Sequence, residues 1–163
     1  MNQVQTTIRD VTQEDTEAIM HLSKAIGLFQ PDELEELSRM LSAYFENSLN
    51  GQHKWLTDDE DGELIGVAYY AEEVFANGVF NLLLIGVHPD RQREGRGTQL
   101  LSYAEQELKA KGKRILLVET SSLESFEATR AFYRKNEYDE EARIREYYNP
   151  GEDKIVFRKT LNV

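Results

Sequence analysis

One segment, residues 82–108, constrains the fold more than any other part of the chain. An apolar run, Leu82–Val87, breaks at Pro89, passes through the glycine-containing stretch Gln92–Gly97 and is followed by residues with helical spacing from Thr98. This order predicts a strand, a turn and a helix whose first backbone N–H groups face the turn. Because those N–H groups have no helical partner and the helix dipole is positive at that end, turns of this kind bind anions.

Three arginines lie in this turn although the protein as a whole is acidic. Arg91, Arg93 and Arg96 fall within six residues, whereas the whole chain has 19 Lys and Arg against 30 Asp and Glu, a formal net charge of −11. A field of that sign repels nucleic acids and anionic lipids and favours cationic partners. A phosphate-bearing ligand must therefore be held by local geometry, and the turn is where the sequence places the groups for it.

Length and composition are those of one folded domain. The 163 residues suffice for one core and are few for two, so we expect a single domain spanning residues 1–163. The longest apolar run is far shorter than a membrane span, and the polar stretch Asn2–Thr7 does not have the character of a secretory signal. The chain has no cysteine, which excludes disulfides and thiolate catalysis and fits the cytoplasmic location that we expect.

Hydrophobic periodicity along the rest of the chain predicts a mixed α/β protein. Alternating or continuous apolar runs mark strands, and apolar residues three and four apart mark helices. The predicted order, β-α-α-β-β-β-α-β-α-β-β, contains no internal repeat. Strands are predicted at 6–11, at 55–57 and 64–70 around an acidic turn at 58–62, and at 79–87, 115–118, 138–148 and 154–161; helices are predicted at 12–26, 31–45, 98–111 and 123–135.

This order and two motifs resemble a known family. The motifs are Val87-x-Pro89-x-x-Gln92-x-x-Gly95-x-Gly97 and the later Ala131-Phe132-Tyr133, and with them the chain resembles the GNAT acyltransferases, which use acetyl-CoA. The resemblance covers nearly the whole chain and implies a mixed, largely antiparallel sheet of about seven strands flanked by four helices. The turn is neither a P-loop, which needs Lys-Ser/Thr after Gly97, nor a dinucleotide fingerprint, which needs a third glycine.

The resemblance implies that two parts of this segment bind CoA. Backbone N–H groups of the turn would hold the pyrophosphate, with charge added by Arg91, Arg93 or Arg96. The end of the preceding strand would splay from residues 115–118 and pair with the pantetheine arm through backbone groups. The implied binding residues are Ile85, Val87, Gln92, Arg93, Glu94, Gly95, Arg96, Gly97 and Thr98.

Tyr133 is the implied catalytic side chain. It matches the tyrosine of the family's fourth helix, which protonates or hydrogen-bonds the departing CoA thiolate. Because a phenol has a pKa of about 10 and a thiol one of about 8.5, full proton transfer is uphill by about 2 kcal/mol in free solution. We therefore expect hydrogen-bond stabilisation of the thiolate, with proton transfer late in its departure. The alternative is an aromatic core residue, since Phe126 lies seven residues earlier on the same face.

The general base is less clearly indicated. An acceptor ammonium with a pKa of about 10 is about one part in a thousand free amine at pH 7, which costs about 4 kcal/mol. A carboxylate or a water chain should collect that proton. Glu119, which ends the strand expected to face the acetyl group, is our candidate, and Glu72 and Glu73 on the central hairpin are rivals. A glutamate at a strand end is more often a solvated or capping residue.

The sequence departs from the family pattern at two positions. Phe126 stands where the family often has asparagine, which removes one expected side-chain contact to the CoA arm. Glu137 stands where the family often has glycine at the exit of the fourth helix, and we expect Asn136 to take the left-handed conformation there instead.

Three functions are compatible with these observations. The first is an enzyme that transfers acetyl directly from acetyl-CoA to a primary amine, of a small molecule or a peptide, in a pocket between the bend Gly27–Gln30 and the hairpin near Tyr147 and Tyr148. The second is a non-catalytic CoA-binding sensor or interaction domain, and the third an unrelated nucleotide-binding domain. We expect no metal, because the three histidines are scattered without ligand spacing, and no nucleic-acid or membrane partner; a homodimer is possible.

Overall fold

The computed structural model describes residues 7–27, 29–46 and 52–162, which contain seven strands and four helices in the predicted order. The strands form one sheet in the order β1-β2-β3-β4-β5-β7-β6. Parallel pairing joins β4 to β5, whereas β1–β2, β5–β7 and β7–β6 are antiparallel. The predicted fold class is confirmed. The elements are β1 (Ile8–Asp10), α1 (Thr16–Ile26), α2 (Pro31–Phe45), β2 (His53–Glu60), β3 (Glu63–Glu72), β4 (Val79–Val87), α3 (Arg96–Ala110), β5 (Ile115–Ser121), α4 (Glu127–Lys135), β6 (Asp139–Asn149) and β7 (Glu152–Thr160).

The turn between β2 and β3 is shorter than the acidic turn predicted at 58–62. Only Asp61 and Gly62 form it, with φ values of 53° and 87°. Two consecutive positive φ values are typical of the type I′ turns that join two-residue hairpins. Asp58, which we predicted in the turn, is a fully buried residue of β2. Thr6, predicted in the first strand, lies outside the described residues.

The prediction that Asn136 ends α4 in a left-handed conformation is wrong. Asn136 has φ −91°, and its side chain donates a hydrogen bond of 2.8 Å to the Phe132 carbonyl. The left-handed residue is Glu137, with φ 69°, whose N–H donates to the Arg134 carbonyl. The asparagine therefore caps the helix with its side chain, and the following residue reverses the chain.

The chain forms two compact units, one comprising residues up to Tyr70 together with Leu84–Ala104, and the other Ala71–Leu83 together with residues from Glu105 onward. The single domain expected from the length stays a prediction. In the described ranges, no helix is long and apolar enough to cross a membrane. The first unit buries Ile19, Leu22, Leu37, Leu41, Trp55, Leu56, Ile65, Val67, Tyr69, Leu100 and Leu101, and the second Phe80, Leu82, Leu108, Leu116, Val118, Tyr133, Tyr138, Ile155 and Phe157.

Candidate functional site

The turn that precedes α3 presents a row of unpaired backbone donors. None of the seven N–H groups of residues 92–98 donates a hydrogen bond to another described residue. The first helical bond at this end joins the Gln99 N–H to the Gly95 carbonyl at 3.0 Å. The Gln92 side chain donates to the Val87 carbonyl at 3.1 Å and so ties the turn to the end of β4. Seven free donors at a helix N-terminus can bind an anion.

The backbone of this turn alternates between left-handed and ordinary conformations. Arg93 has φ 66° and Gly95 has φ 79°, whereas Glu94 between them has no positive φ. Alternation of this kind turns successive N–H groups into a concave anion-binding nest. A β-carbon at Gly95 would meet no atom within 4 Å, so glycine is needed there for its backbone conformation and not for space.

Two of the three arginines of the turn are already paired with carboxylates of the protein. Arg91 contacts Glu60 at 2.5 Å and Glu94 at 3.0 Å, and Arg96 contacts Glu60 at 2.8 Å and Asp58 at 3.4 Å. The hydrogen bond from Arg91, followed by that from Arg96, holds the pKa of Glu60 below its ordinary value. These ion pairs fix the turn to β2 and leave both arginines with little net charge to offer a ligand.

Arg93 differs from its two neighbours. It is exposed and makes no ion pair with any residue that the structure describes. A left-handed conformation costs a non-glycine residue about 1 to 2 kcal/mol, and such conformations cluster at binding sites. Of the three arginines that the sequence analysis left equivalent, Arg93 is therefore the one whose charge is available to a bound anion.

The end of β4 continues beyond its pairing with β5. The parallel ladder runs from Val79 opposite Ile115 to Leu82 opposite Val118. Both strands extend further, β4 to Val87 and β5 to Ser121. Ile85 and Val87, the two residues implied to bind through their backbone, are half-buried residues of this continuation.

Tyr133, on α4, has a buried ring and a free hydroxyl. The ring packs against Phe157 and Tyr138, with centroids 5.5 and 5.9 Å away, and burial raises the pKa of Tyr133 well above its ordinary value. The hydroxyl has no hydrogen-bond partner among the described residues. By contrast, the hydroxyl of the neighbouring Tyr138 donates to Glu105 at 2.6 Å. Tyr133 therefore combines core packing with an available donor.

Glu119 on β5 is paired with a buried lysine that sequence reasoning missed. Its Oε2 lies 3.0 Å from Nζ of Lys154, whose side chain is only 9% exposed and whose ammonium lies 3.6 Å from the centroid of the Tyr147 ring. Burial alone would lower the pKa of Lys154, but hydrogen bonds with Glu119 and Tyr147 outweigh this and raise it. The second carboxylate oxygen of Glu119 still has lone pairs for a proton or a water.

The rival carboxylates at the β3–β4 turn have different surroundings. Glu72 is the half-buried last residue of β3. Glu73 follows it, and its Oε1 accepts a hydrogen bond of 3.2 Å from Nδ2 of Asn81, a buried residue of β4. Asn81 is a second polar residue that sequence reasoning missed, because nothing local distinguishes it from an ordinary strand asparagine.

The structure thus gathers the predicted residues 92–98 in the first unit, and it places Glu119 and Tyr133 in the second.

A further buried polar residue, Arg130, donates to the carbonyls of Ser121 at 2.5 Å and Leu123 at 2.9 Å and so holds the exit of β5. Its position three residues before Tyr133 was a signal that could have revealed it, since residues three apart share a helix face.

Comparison with known proteins identifies similar sequences and folds. The model of the acetyltransferase (GNAT) family matches residues 17–138. A GNAT-family protein from Desulfovibrio desulfuricans has 26% identity and a TM-score of 0.90, covering 94% of this chain and 98% of its own. The ribosomal-protein-S18-alanine N-acetyltransferase of Escherichia coli has 22% identity and a TM-score of 0.77 (97% and 95% covered). YncA of Salmonella typhimurium, solved with acetyl-CoA, has 21% identity and a TM-score of 0.78 (97% and 95%). Comparison with curated proteins gives no significant match.

Proposed function

Because the chain belongs to the GNAT acetyltransferase family, we propose that it transfers an acetyl group from acetyl-CoA to a primary amine. The observation that supports acetyl-CoA as the acetyl donor is the row of seven unpaired N–H groups at residues 92–98, which suits a pyrophosphate. YncA, with a similar fold, was solved with acetyl-CoA, which supports the same donor here.

The residues of the turn fit the phosphate end of acetyl-CoA. The N–H groups of residues 92–98 would hold the pyrophosphate, Gly95 would keep the backbone in the required conformation, and Arg93 would supply charge. The backbone of Ile85 and Val87, beyond the end of the β4–β5 ladder, would pair with the pantetheine arm.

The proposed chemistry is direct attack on the thioester. The amine nitrogen forms a bond to the acetyl carbon, the carbon–sulfur bond breaks and its electron pair goes to the sulfur. One proton leaves the attacking ammonium, a second leaves nitrogen as the amide forms, and one proton is taken up by the thiolate. No covalent cysteine intermediate is available, because the chain contains no cysteine.

In this scheme Tyr133 stabilises the leaving group by hydrogen bonding. Burial moves the pKa of Tyr133 further from that of a thiol, so full proton transfer is less favourable than for a solvated phenol. A free hydroxyl on a packed ring, however, is a preorganised donor for the developing thiolate.

We propose Glu119 as the group that collects the acceptor's proton, directly or through water. Changing Glu119 to Gln should lower kcat/KM for the amine about 100-fold at pH 7. The change also leaves the buried Lys154 without a charged partner, which should cost about 1 to 3 kcal/mol of stability.

The double variant Glu119→Gln/Lys154→Met separates these two effects. It should regain stability in thermal unfolding, because both members of the pair are removed, and it should stay as inactive as the single variant. Recovery of activity in the double variant would show that Glu119 serves only to neutralise Lys154.

Arg93 provides a test of the pyrophosphate site. Arg93→Ala should raise the Kd for CoA about five-fold at low salt, less at high salt, with no loss of stability, since Arg93 has no protein partner among the described residues. Arg91→Ala should instead lower the melting temperature, because Arg91 holds Glu60 and Glu94. Calorimetric titration of both variants with CoA measures the two affinities. Equal losses of affinity in Arg93→Ala and Arg91→Ala would contradict this assignment.

The acceptor is best sought among cationic amines. The net charge of −11 favours them. Of the two sides of the predicted acceptor pocket, Tyr147 and Tyr148 are exposed on the last hairpin. The other side, the bend Gly27–Gln30, includes Leu28, which lies outside the described residues. Incubation with acetyl-CoA and a panel of primary amines should give amine-dependent release of free thiol. CoA binding without such release across the panel would contradict the enzyme and indicate a CoA sensor.

A further inference from the structure

Asn81 on β4 holds a buried carbonyl oxygen that nothing described in the structure satisfies. The residue is 5% exposed, and its Oδ1 is one of three fully buried side-chain atoms without a hydrogen-bond partner among the described residues. Its Nδ2 donates to Glu73 at 3.2 Å. Because a carboxylate only accepts hydrogen bonds, Glu73 fixes the orientation of the carboxamide, with Nδ2 towards it and Oδ1 away.

The position of Asn81 in the sheet suits a role in the reaction. It pairs with Leu117, one step before the β4–β5 ladder ends at Leu82 and Val118. Paired residues of neighbouring strands share a face of the sheet, and successive residues of one strand alternate between faces. Asn81 therefore shares a face with Leu117, and Glu119, two residues further along β5, lies on that same face. Phe157, which pairs with Val118 and packs on Tyr133, lies on the other face.

This arrangement separates the two sides of the proposed transfer. The donor for the departing thiolate, Tyr133, packs on one face, and the oxygen acceptors that suit an incoming ammonium lie on the other. An unpaired buried carbonyl destabilises a protein, and a ligand that donates a hydrogen bond to Oδ1 would relieve that cost.

We infer that Oδ1 of Asn81 accepts a hydrogen bond from the attacking nitrogen and makes the enzyme selective for primary amines, with Glu73 as its positioning residue. This inference rests on the proposed function. A primary amine has two N–H groups, so one can stay bonded to Oδ1 while the other loses its proton during attack. A secondary amine or an alcohol has only one hydrogen, and it leaves Oδ1 unpaired once that hydrogen is transferred.

The test compares benzylamine, N-methylbenzylamine and benzyl alcohol as acceptors. Wild type should prefer benzylamine to N-methylbenzylamine at least 50-fold in kcat/KM. Asn81→Leu should reduce transfer to benzylamine at least ten-fold and bring the preference below five-fold, with the KM for acetyl-CoA unchanged. Its melting temperature should stay the same or rise by about 2 to 4 °C, because an unpaired carbonyl leaves the core.

The role of Glu73 is tested by a matched pair of variants. Glu73→Gln keeps an oxygen that accepts from Nδ2 and should retain the preference, whereas Glu73→Leu frees the carboxamide to turn and should lose it. An equal loss of kcat in both variants would show that the charge of Glu73 matters, as for a general base, and would overturn the positioning role.

Contact between the amine and Asn81 can be measured without turnover. The side-chain amide signals of Asn81 in nitrogen-15 NMR, identified by their loss in Asn81→Leu, should shift on titration with benzylamine. Failure of every amine to give thiol release from wild type would refute the proposed function, and these signals would still report on Asn81. Unmoved signals, or a destabilised Asn81→Leu with unchanged preference, would overturn the inference and assign Oδ1 to a buried water.

Discussion

Replacement of Tyr133 by phenylalanine is expected to lower kcat for acetyl transfer about 100- to 1,000-fold and to leave stability unchanged. The loss corresponds to removal of one preorganised donor from a developing negative charge. Stability should not fall, because the hydroxyl has no partner among the described residues while the ring, which the variant keeps, packs on Phe157 and Tyr138.

Tyr138→Phe is the matched control. Tyr138 is a second buried tyrosine, and its hydroxyl donates to Glu105 at 2.6 Å, where Glu105 also contacts Lys159 at 3.0 Å. Loss of a hydrogen bond to a charged group should cost about 1.5 to 3 kcal/mol, and activity should stay within about two-fold of wild type. Tyr133→Phe should thus lose activity and keep its thermal stability, whereas Tyr138→Phe should lose thermal stability and keep its activity.

The same pair distinguishes catalysis from packing. Thiol release with both acetyl-CoA and the amine at saturation measures kcat, and the KM for acetyl-CoA should change little in Tyr133→Phe, since the donor acts on the departing thiolate and not on the bound ground state. If Tyr133→Phe instead melts at a lower temperature and retains kcat, Tyr133 is an aromatic core residue. Phe126, which the sequence predicted on the same helical face, precedes the first residue of α4.

What the sequence predicted well is local. The turn at residues 92–97 carries its own signals, an apolar run before it, glycine within it and helical spacing after it. The strand, the turn, the helix and the unpaired donors therefore followed from short-range rules, although α3 begins at Arg96 and not at the predicted Thr98. The same holds for the two-residue turn at Asp61–Gly62, although its limits were placed too widely because Asp58 is a strand residue buried beside Arg96.

What the sequence could not predict depends on distant partners. The difference between Arg93 and Arg96 arises because β2 brings Asp58 and Glu60 to Arg96 across more than thirty residues of chain. Likewise, Lys154 reaches Glu119 only through the antiparallel pairing of β7 with β5. Polar pairs of this kind leave no periodic pattern in the sequence, so the three arginines of the turn could not be distinguished before the structure was known.

Valine at position 95 is expected to weaken CoA binding at least 100-fold. Gly95 has φ 79°, a conformation that is especially unfavourable for a β-branched residue, so the variant should rearrange the turn and misdirect its N–H groups. Loss of two charge-assisted hydrogen bonds, at about 1.5 kcal/mol or more each, accounts for a change of this size.

Gly62→Val supplies the matched control, because Gly62 has φ 87° and, like Gly95, open space where a β-carbon would lie. Both variants should lose similar stability, yet only Gly95→Val should lose CoA affinity in calorimetric titration. S-acetylpantetheine, which lacks the pyrophosphate, sharpens the comparison: its kcat/KM should be nearly the same in wild type and Gly95→Val, while that for acetyl-CoA falls. An equal fall for both donors would mean that the turn supports the whole site and not the pyrophosphate.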